Sequence, residues 1–226
     1  MKYFPVNLDI AGRKCTVVGG GGVAARKVAS LLACGGKVLV ISPELTAELR
    51  ELWQNERIAW CARPYRRGDL RGSFLVIAAT DDELVQATVF AEAEENRQLI
   101  NVADVPQRCN FILPATVQRA DLTIAISTAG KSPALARQLR QKLEGMIGPE
   151  YGTLVEIMGL LRGEVLKLGR PHQENKVVFA ALLHEQFAEW LKQGNWDLIK
   201  EHLRMTLGDN ISAECLTTLQ KVVKCQ

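Results

Sequence analysis

Several familiar signatures are missing from this sequence, and each absence narrows what the chain can be. The six cysteines (Cys15, Cys34, Cys61, Cys109, Cys215 and Cys225) form no Cys-x-x-Cys pair. That excludes the usual zinc spacings and argues against a disulfide framework, leaving reduced thiols at apolar positions. The three histidines, His172, His184 and His202, lie apart in the C-terminal stretch and read as packed or solvated side chains. No compact His/Cys/Glu set is present, so no bound metal is expected. A net charge of +3 is too small to imply nucleic acid. No apolar run is long enough to span a bilayer, and the opening residues lack the apolar core of a signal peptide. Neither repeats nor low-complexity tracts occur. The expectation is a cytoplasmic protein without nucleic-acid or membrane partners.

What the sequence does contain is an alternation of strand and helix patterns. Lys14–Val18 is a short β-branched run ending in four glycines, followed by helical periodicity through Val23, Ala24, Val28, Leu31 and Leu32. Lys37–Ile41 is a second strand, stopped by Ser42-Pro43, and a helical pattern follows through Leu45, Leu49 and Leu52. Ile58–Cys61, Phe74–Ala79 and Leu99–Val102 complete the strands, with a helix over Glu83–Asn96. The Phe74–Ala79 run does not alternate, which predicts burial on both faces. Strands alternating with helices predict an α/β fold, a Rossmann-type parallel sheet over residues 1–112. Phe111–Val117 and Leu122–Ser127 predict two further strands joined by a polar turn at Gln118–Asp121. Ser132 and Pro133 are suited to the N-cap and first position of a helix. The expected division is therefore 1–112, a small β-containing middle at 113–147, and a helical module at 148–226.

Gly19-Gly20-Gly21-Gly22-Val23-Ala24 fits G-x-G-x-x-A between a strand and a helix. In that motif the first glycine permits a tight turn and the second lets the backbone approach a pyrophosphate held on the helix N-terminus. Gly19, Gly21, Gly22 and Val23 are thus expected to bind a dinucleotide. About 20 residues on, such folds place an acidic residue on the ribose; here the position holds Ser42, Pro43 and Glu44. No arginine adjoins Ser42 to hold a 2′-phosphate, which favours NAD over NADP. The small residues of Ala78-Ala79-Thr80 would let a cofactor lie close, with Thr80 beside it and Asp81 or Asp82 capping the next helix.

Asp104 follows the last Rossmann strand and should project from the carboxyl end of the sheet. A carboxylate there can accept a proton while hydride leaves for a nicotinamide, or it can simply serve a turn. Lys131 and Arg137 flank the start of the helix after Thr128 and either bind carboxylates or are ordinary surface charge. The Arg63, Arg66, Arg67 and Arg71 stretch reads as a solvated loop.

Taken together, Tyr3–Val6, Val17–Lys27, Ile77–Asp82, Asn101–Asp104, Asn110–Ala115 and Ile126–Arg137 resemble the precorrin-2 dehydrogenase family, the siroheme synthase N-terminal type. Its members occur alone or fused to a methyltransferase. The resemblance implies NAD-dependent oxidation of precorrin-2 to sirohydrochlorin by a homodimer. Some members also insert Fe²⁺, which would be substrate here. Asp104 falls on the aspartate that the family uses for this chemistry. The substrate bears eight carboxylates and needs cationic and polar partners, for which Asn101, Arg108, Thr128, Lys131 and Arg137 are the candidates. In fused members a serine matching Thr128 can be phosphorylated; threonine stands there in this chain. Two other readings fit the glycine loop alone: an NAD(H) sensor, and an NAD(P)-dependent reductase of an unrelated small substrate.

Overall fold

A computed structural model describes residues 3–224 of the chain. Two compact units divide it, Met1–Leu113 and Pro114–Gln226.

The first unit is built on a five-stranded, wholly parallel sheet. Its strands are β1 (Lys14–Val18), β2 (Lys37–Ile41), β3 (Ala59–Cys61), β4 (Leu75–Ala78) and β5 (Leu99–Val102), in the spatial order β3-β2-β1-β4-β5. Helices α1 (Gly22–Ala33), α2 (Ala47–Gln54) and α3 (Glu83–Glu95) make the crossovers. Neighbouring residues of a strand point to opposite faces, and both faces are covered. Val17, Val40 and Ile77 pack with Ala24, Val28 and Leu31 of α1 and Leu49 of α2. Val18, Val76, Ala78 and Ile100 pack on the other side with Val89 and Ala93 of α3. Each large aliphatic side chain so buried contributes roughly 1.5–3 kcal/mol. This two-sided burial is why β4 carries no polar alternation.

The chain order reverses between β1 and β4, with β2 and β3 to one side and β5 to the other. In such sheets the crevice beyond the carboxyl ends at the reversal is where ligands bind. The loops after β1 and β4 flank it.

The second unit opens with an antiparallel hairpin, β6 (Ala115–Arg119) and β7 (Leu122–Ile126). Helices α4 (Pro133–Met146), α5 (Glu150–Lys167), α6 (His172–Leu182), α7 (Phe187–Lys192), α8 (Trp196–Leu207) and α9 (Ala213–Lys224) follow. Leu154, Ile157, Leu161 and Val165 form one stripe of α5 and pack with Phe187, Leu191, Ile199, Leu203, Leu219 and Val223. His202 sets Nε2 3.1 Å from the Leu182 carbonyl, and His184 stacks on Trp190 with centroids 4.7 Å apart. Among the described residues no helix is long and apolar enough to cross a membrane.

The hairpin corrects two expectations. Phe111–Pro114 is not strand; β6 begins at Ala115 and continues through Gln118 and Arg119, so the turn is only Ala120-Asp121. Residues 109–111 are used elsewhere: Asn110 hydrogen-bonds the outer edge of β5, and Phe111 packs on the Rossmann core. Arg119, expected in the turn, instead binds carbonyls at the end of α4, donating to Ile147 O at 2.9 Å and Glu144 O at 3.1 Å.

Candidate active site

The glycine loop is shaped by sterics. Gly19 has φ +117°, and a Cβ there would lie 2.1 Å from the Ala79 carbonyl oxygen at the end of β4. At Gly20 a Cβ would lie 2.0 Å from the Glu44 carbonyl oxygen and 2.8 Å from Ser42 Oγ. The loops after β1, β2 and β4 therefore close on one another with no room for side chains at these two positions. A Thr46 N–H to Gly20 O bond of 3.0 Å fixes the second contact. Gly21 and Gly22 differ: nothing lies within 4 Å of a Cβ built on either. The loop is packed behind and open in front, as a backbone that must approach a ligand requires.

Helix α1 starts at this open face. Gly21 is its N-cap, no side chain caps it, and no acidic residue sits in its first turn. Its unsatisfied N–H groups and positive dipole end are suited to an anion such as a pyrophosphate. Helix α3 starts nearby in sequence from β4 but is closed by Asp82, whose Oδ1 accepts from Leu84 N at 2.9 Å and Val85 N at 3.1 Å. The capping aspartate is Asp82, and Asp81 stays exposed. Ser42 is buried behind Gly20, while Pro43 and Glu44 are exposed.

Between the loops lies a cavity of about 200 Å³, lined by Val23, Ala79, Thr80, Asp81, Gln86 and Asp104 among others. Thr80 is held by its carbonyl, which accepts from Gln86 Nε2 at 2.7 Å. Asp104 has φ +60°, a left-handed conformation that few side chains adopt and aspartate tolerates better than most. The uncapped helix, the two open glycines and the small residues at the end of β4 together fit a dinucleotide.

Residues 6–115 match a family described as putative NAD(P)-binding, and residues 119–146 match the sirohaem biosynthesis protein central family. Siroheme synthases of Mannheimia succiniciproducens and Actinobacillus succinogenes are 38% and 39% identical to this chain, each over 92% of it and 44% of the relative. A solved structure, that of SirC, a precorrin-2 dehydrogenase, superposes with a TM-score of 0.77 at 25% identity, covering 90% of this chain and 98% of that one. The chain is thus similar to siroheme synthases and to a precorrin-2 dehydrogenase over about nine-tenths of its length. It spans less than half the length of the curated relatives it matches. The family resemblance read from its motifs and the α/β Rossmann-type fold are thus both present.

The remaining candidates divide between the units. In the first, Asn101 donates from Nδ2 to the Phe111 carbonyl at 3.1 Å, and Arg108 leans on the Glu83 carbonyl at 3.4 Å. In the second, Thr128 Oγ1 accepts from Ser132 N and donates to Ser132 O, both at 3.1 Å, closing the loop before α4. Ser132 caps that helix through Leu135 N at 3.2 Å; Lys131, just before the cap, and Arg137, on the first turns, are both exposed. Two arginines of the Arg63 stretch are paired, Arg63 bidentately with Asp69 at 2.7 Å and Arg67 with Glu95, while Arg66, Arg67 and Arg71 are exposed as a surface loop would have them.

One residue that lines the cavity and one that acts on Asp104 escaped the sequence reading. Gln86 is buried on α3, and its link to Thr80 depends on how α3 docks. Lys27, on α1, has its pKa lowered by burial first and by Arg26 next, while the Asp104 carboxylate raises it. Lys27 thus lies within electrostatic reach of an aspartate 77 positions away in the chain (104 − 27), a proximity that no local pattern encodes.

Proposed function

We propose that this chain oxidises precorrin-2 to sirohydrochlorin with NAD, on the route to sirohaem. The observation that carries the reading is one cavity bordered by Asp104, Thr80 and the residue after the open glycines, Val23, in a chain whose fold matches a precorrin-2 dehydrogenase nearly end to end. When bound, NAD supplies the acceptor for the hydride.

The residues supply the rest. Gly21 and Gly22 leave the N–H groups of α1 accessible to the pyrophosphate, and Ser42, Pro43 and Glu44 border the ribose end. Thr80 and Ala79 let the nicotinamide end lie close to the sheet. Asp104 takes the proton that the macrocycle loses as the ring is oxidised. Asn101, Arg108, Thr128, Lys131 and Arg137 bind the substrate's carboxylates and polar edge. Fe²⁺ is a second substrate, held by the macrocycle nitrogens while Asp104 removes pyrrole protons. The active form is a cytoplasmic homodimer, paired through residues 113–147 and the helical residues 148–226.

The test is an anaerobic assay of the purified chain with precorrin-2 and NAD⁺, following NADH absorbance and the sirohydrochlorin spectrum. Stoichiometric products are expected. Asp104→Asn is expected to lower turnover by about 100-fold or more, with NAD⁺ affinity changed less than about threefold. Tight NAD⁺ binding by a wild-type chain that gives no sirohydrochlorin would overturn the assignment in favour of a sensor.

A further inference from the structure

The turn that carries Asp104 poses a physical problem. It leaves the edge strand of the sheet, places a non-glycine residue at φ +60°, and passes through a 3-10 turn at Pro106–Arg108 before returning along β5. Among the described residues no ion pair holds the Asp104 carboxylate. Apart from the electrostatic pull of Lys27, the backbone must fix the group. Two backbone bonds close the turn, Val105 N to Val102 O at 3.3 Å and Arg108 N to Val105 O at 3.0 Å. Ala103 N also donates to Ala78 O at 2.9 Å on the side before Asp104, whereas the Val105 bond after it is long and leaves that side of the turn the weaker tie.

The thiol of Cys109 spans both closures. Its Sγ accepts from Val102 N at 3.2 Å and from Asn101 Nδ2 at 3.7 Å. It lies 3.3 Å from both the Val102 and Val105 carbonyl oxygens, so its single proton is shared between them. One side chain thus touches the residue that ends β5 and the residue just after Asp104. Next to it, the Asn110 side-chain amide pairs with the free edge of β5, Oδ1 accepting from Ile100 N at 2.9 Å and Nδ2 donating to Gln98 O at 2.8 Å. That pairing anchors Cys109 to the sheet, and Cys109 in turn anchors the turn.

We propose that Cys109 is a positioning residue for the reaction: its thiol clasps the Val102–Val105 turn and so sets where the Asp104 carboxylate stands in the cavity. The proposal rests on the role given to Asp104 above. The geometry explains why a thiol suits the place. Sulfur's longer bonds let one atom reach two carbonyls and an N–H at once, whereas an alanine leaves Val102 N and the Val105 carbonyl without this partner.

The test compares Cys109→Ala and Cys109→Ser in the full chain by amide hydrogen exchange and by steady-state kinetics. In Cys109→Ala, exchange at Val102 and Val105 is expected to quicken about tenfold or more, while amides of β1 and α1 keep their wild-type rates. Turnover should fall about 10- to 100-fold with KM for NAD⁺ changed less than about threefold, since a misplacement of about 1 Å has effects of that size. Cys109→Ser, which keeps a donor and an acceptor on a shorter bond, should recover part of both and stand between alanine and the wild type. Unchanged local exchange in Cys109→Ala, or a serine variant no better than alanine, would overturn the proposal. So would kcat and KM for NAD⁺ failing together as the whole fold loosens. If the wild-type chain does not turn over precorrin-2, the functional reading fails by itself, and exchange still decides whether Cys109 holds the turn.

Discussion

The turn after β1 and the turn after β5 leave the same edge of one sheet and border the same cavity, yet they are held in place by opposite means. The first is fixed by side chains that are missing: Gly19 and Gly20 let three loops touch backbone to backbone. The second is fixed by side chains that are present, with Cys109, Asn110 and Asn101 hydrogen-bonding the backbone around a left-handed aspartate. A loop that must present N–H groups to an anion gains from being bare. A loop that must present one carboxylate has to carry a side chain, and its conformation is then maintained from outside.

The largest expected effect follows from the bare loop. Gly19→Ala places a Cβ 2.1 Å from the Ala79 carbonyl at φ +117°, so backbone must move on both sides. A loss of about 3 kcal/mol or more is expected, read as a lower midpoint in urea unfolding. Gly21→Ala meets nothing within 4 Å and, as a change from glycine to alanine at an N-cap, should cost at most about 1 kcal/mol. Its Cβ projects into the open space instead, and NAD⁺ affinity should fall about tenfold or more by titration calorimetry. Equal stability losses in the two variants would remove the distinction between the packed back and the open front of the loop.

The two turns also differ in how well the sequence discloses them. The limits of β1, β2 and β5 are legible because strand-like runs end at glycine, at Ser42-Pro43 or at Ala103-Asp104. The glycine loop is legible because its role depends on residue type within six adjacent positions. Asp104 is legible as a position at a strand end; its backbone conformation is not, because the thiol that braces it acts through contacts that only folding creates. The same cause underlies the misplaced start of β6. Phe111–Pro114 is apolar enough for a strand, but the preceding Asn110 is tied to the edge of β5 and Phe111 is drawn into the Rossmann core, so pairing begins only at Ala115. Gln86 and Lys27 lie on helices whose periodicity shows which face is buried, and not which loop that face meets.

An intermediate effect separates the two helix starts at the cavity. Asp82 satisfies two N–H groups of α3, whereas α1 has no such cap. Asp82→Ala should therefore cost about 1 kcal/mol of stability in urea unfolding and leave NAD⁺ affinity nearly unchanged. A large loss of affinity would mean that the start of α3 also holds the dinucleotide, and the contrast between a capped and an open helix end would no longer hold.

The smallest effect on stability, and the sharpest test of the contrast, is at Asp104 itself. Glycine adopts φ +60° freely and aspartate does so at some cost, but glycine also loses more freedom on folding. These terms oppose one another, so Asp104→Gly should change unfolding free energy by only about 0 to 1 kcal/mol, in the stabilising direction, while abolishing turnover. That combination would show that aspartate occupies the position for its carboxylate, with the turn braced by Cys109 and Asn110 rather than by Asp104. A loss of more than about 1 kcal/mol would show the reverse: the Asp104 side chain would be helping to hold its own turn, and the clasp would be only part of what fixes it.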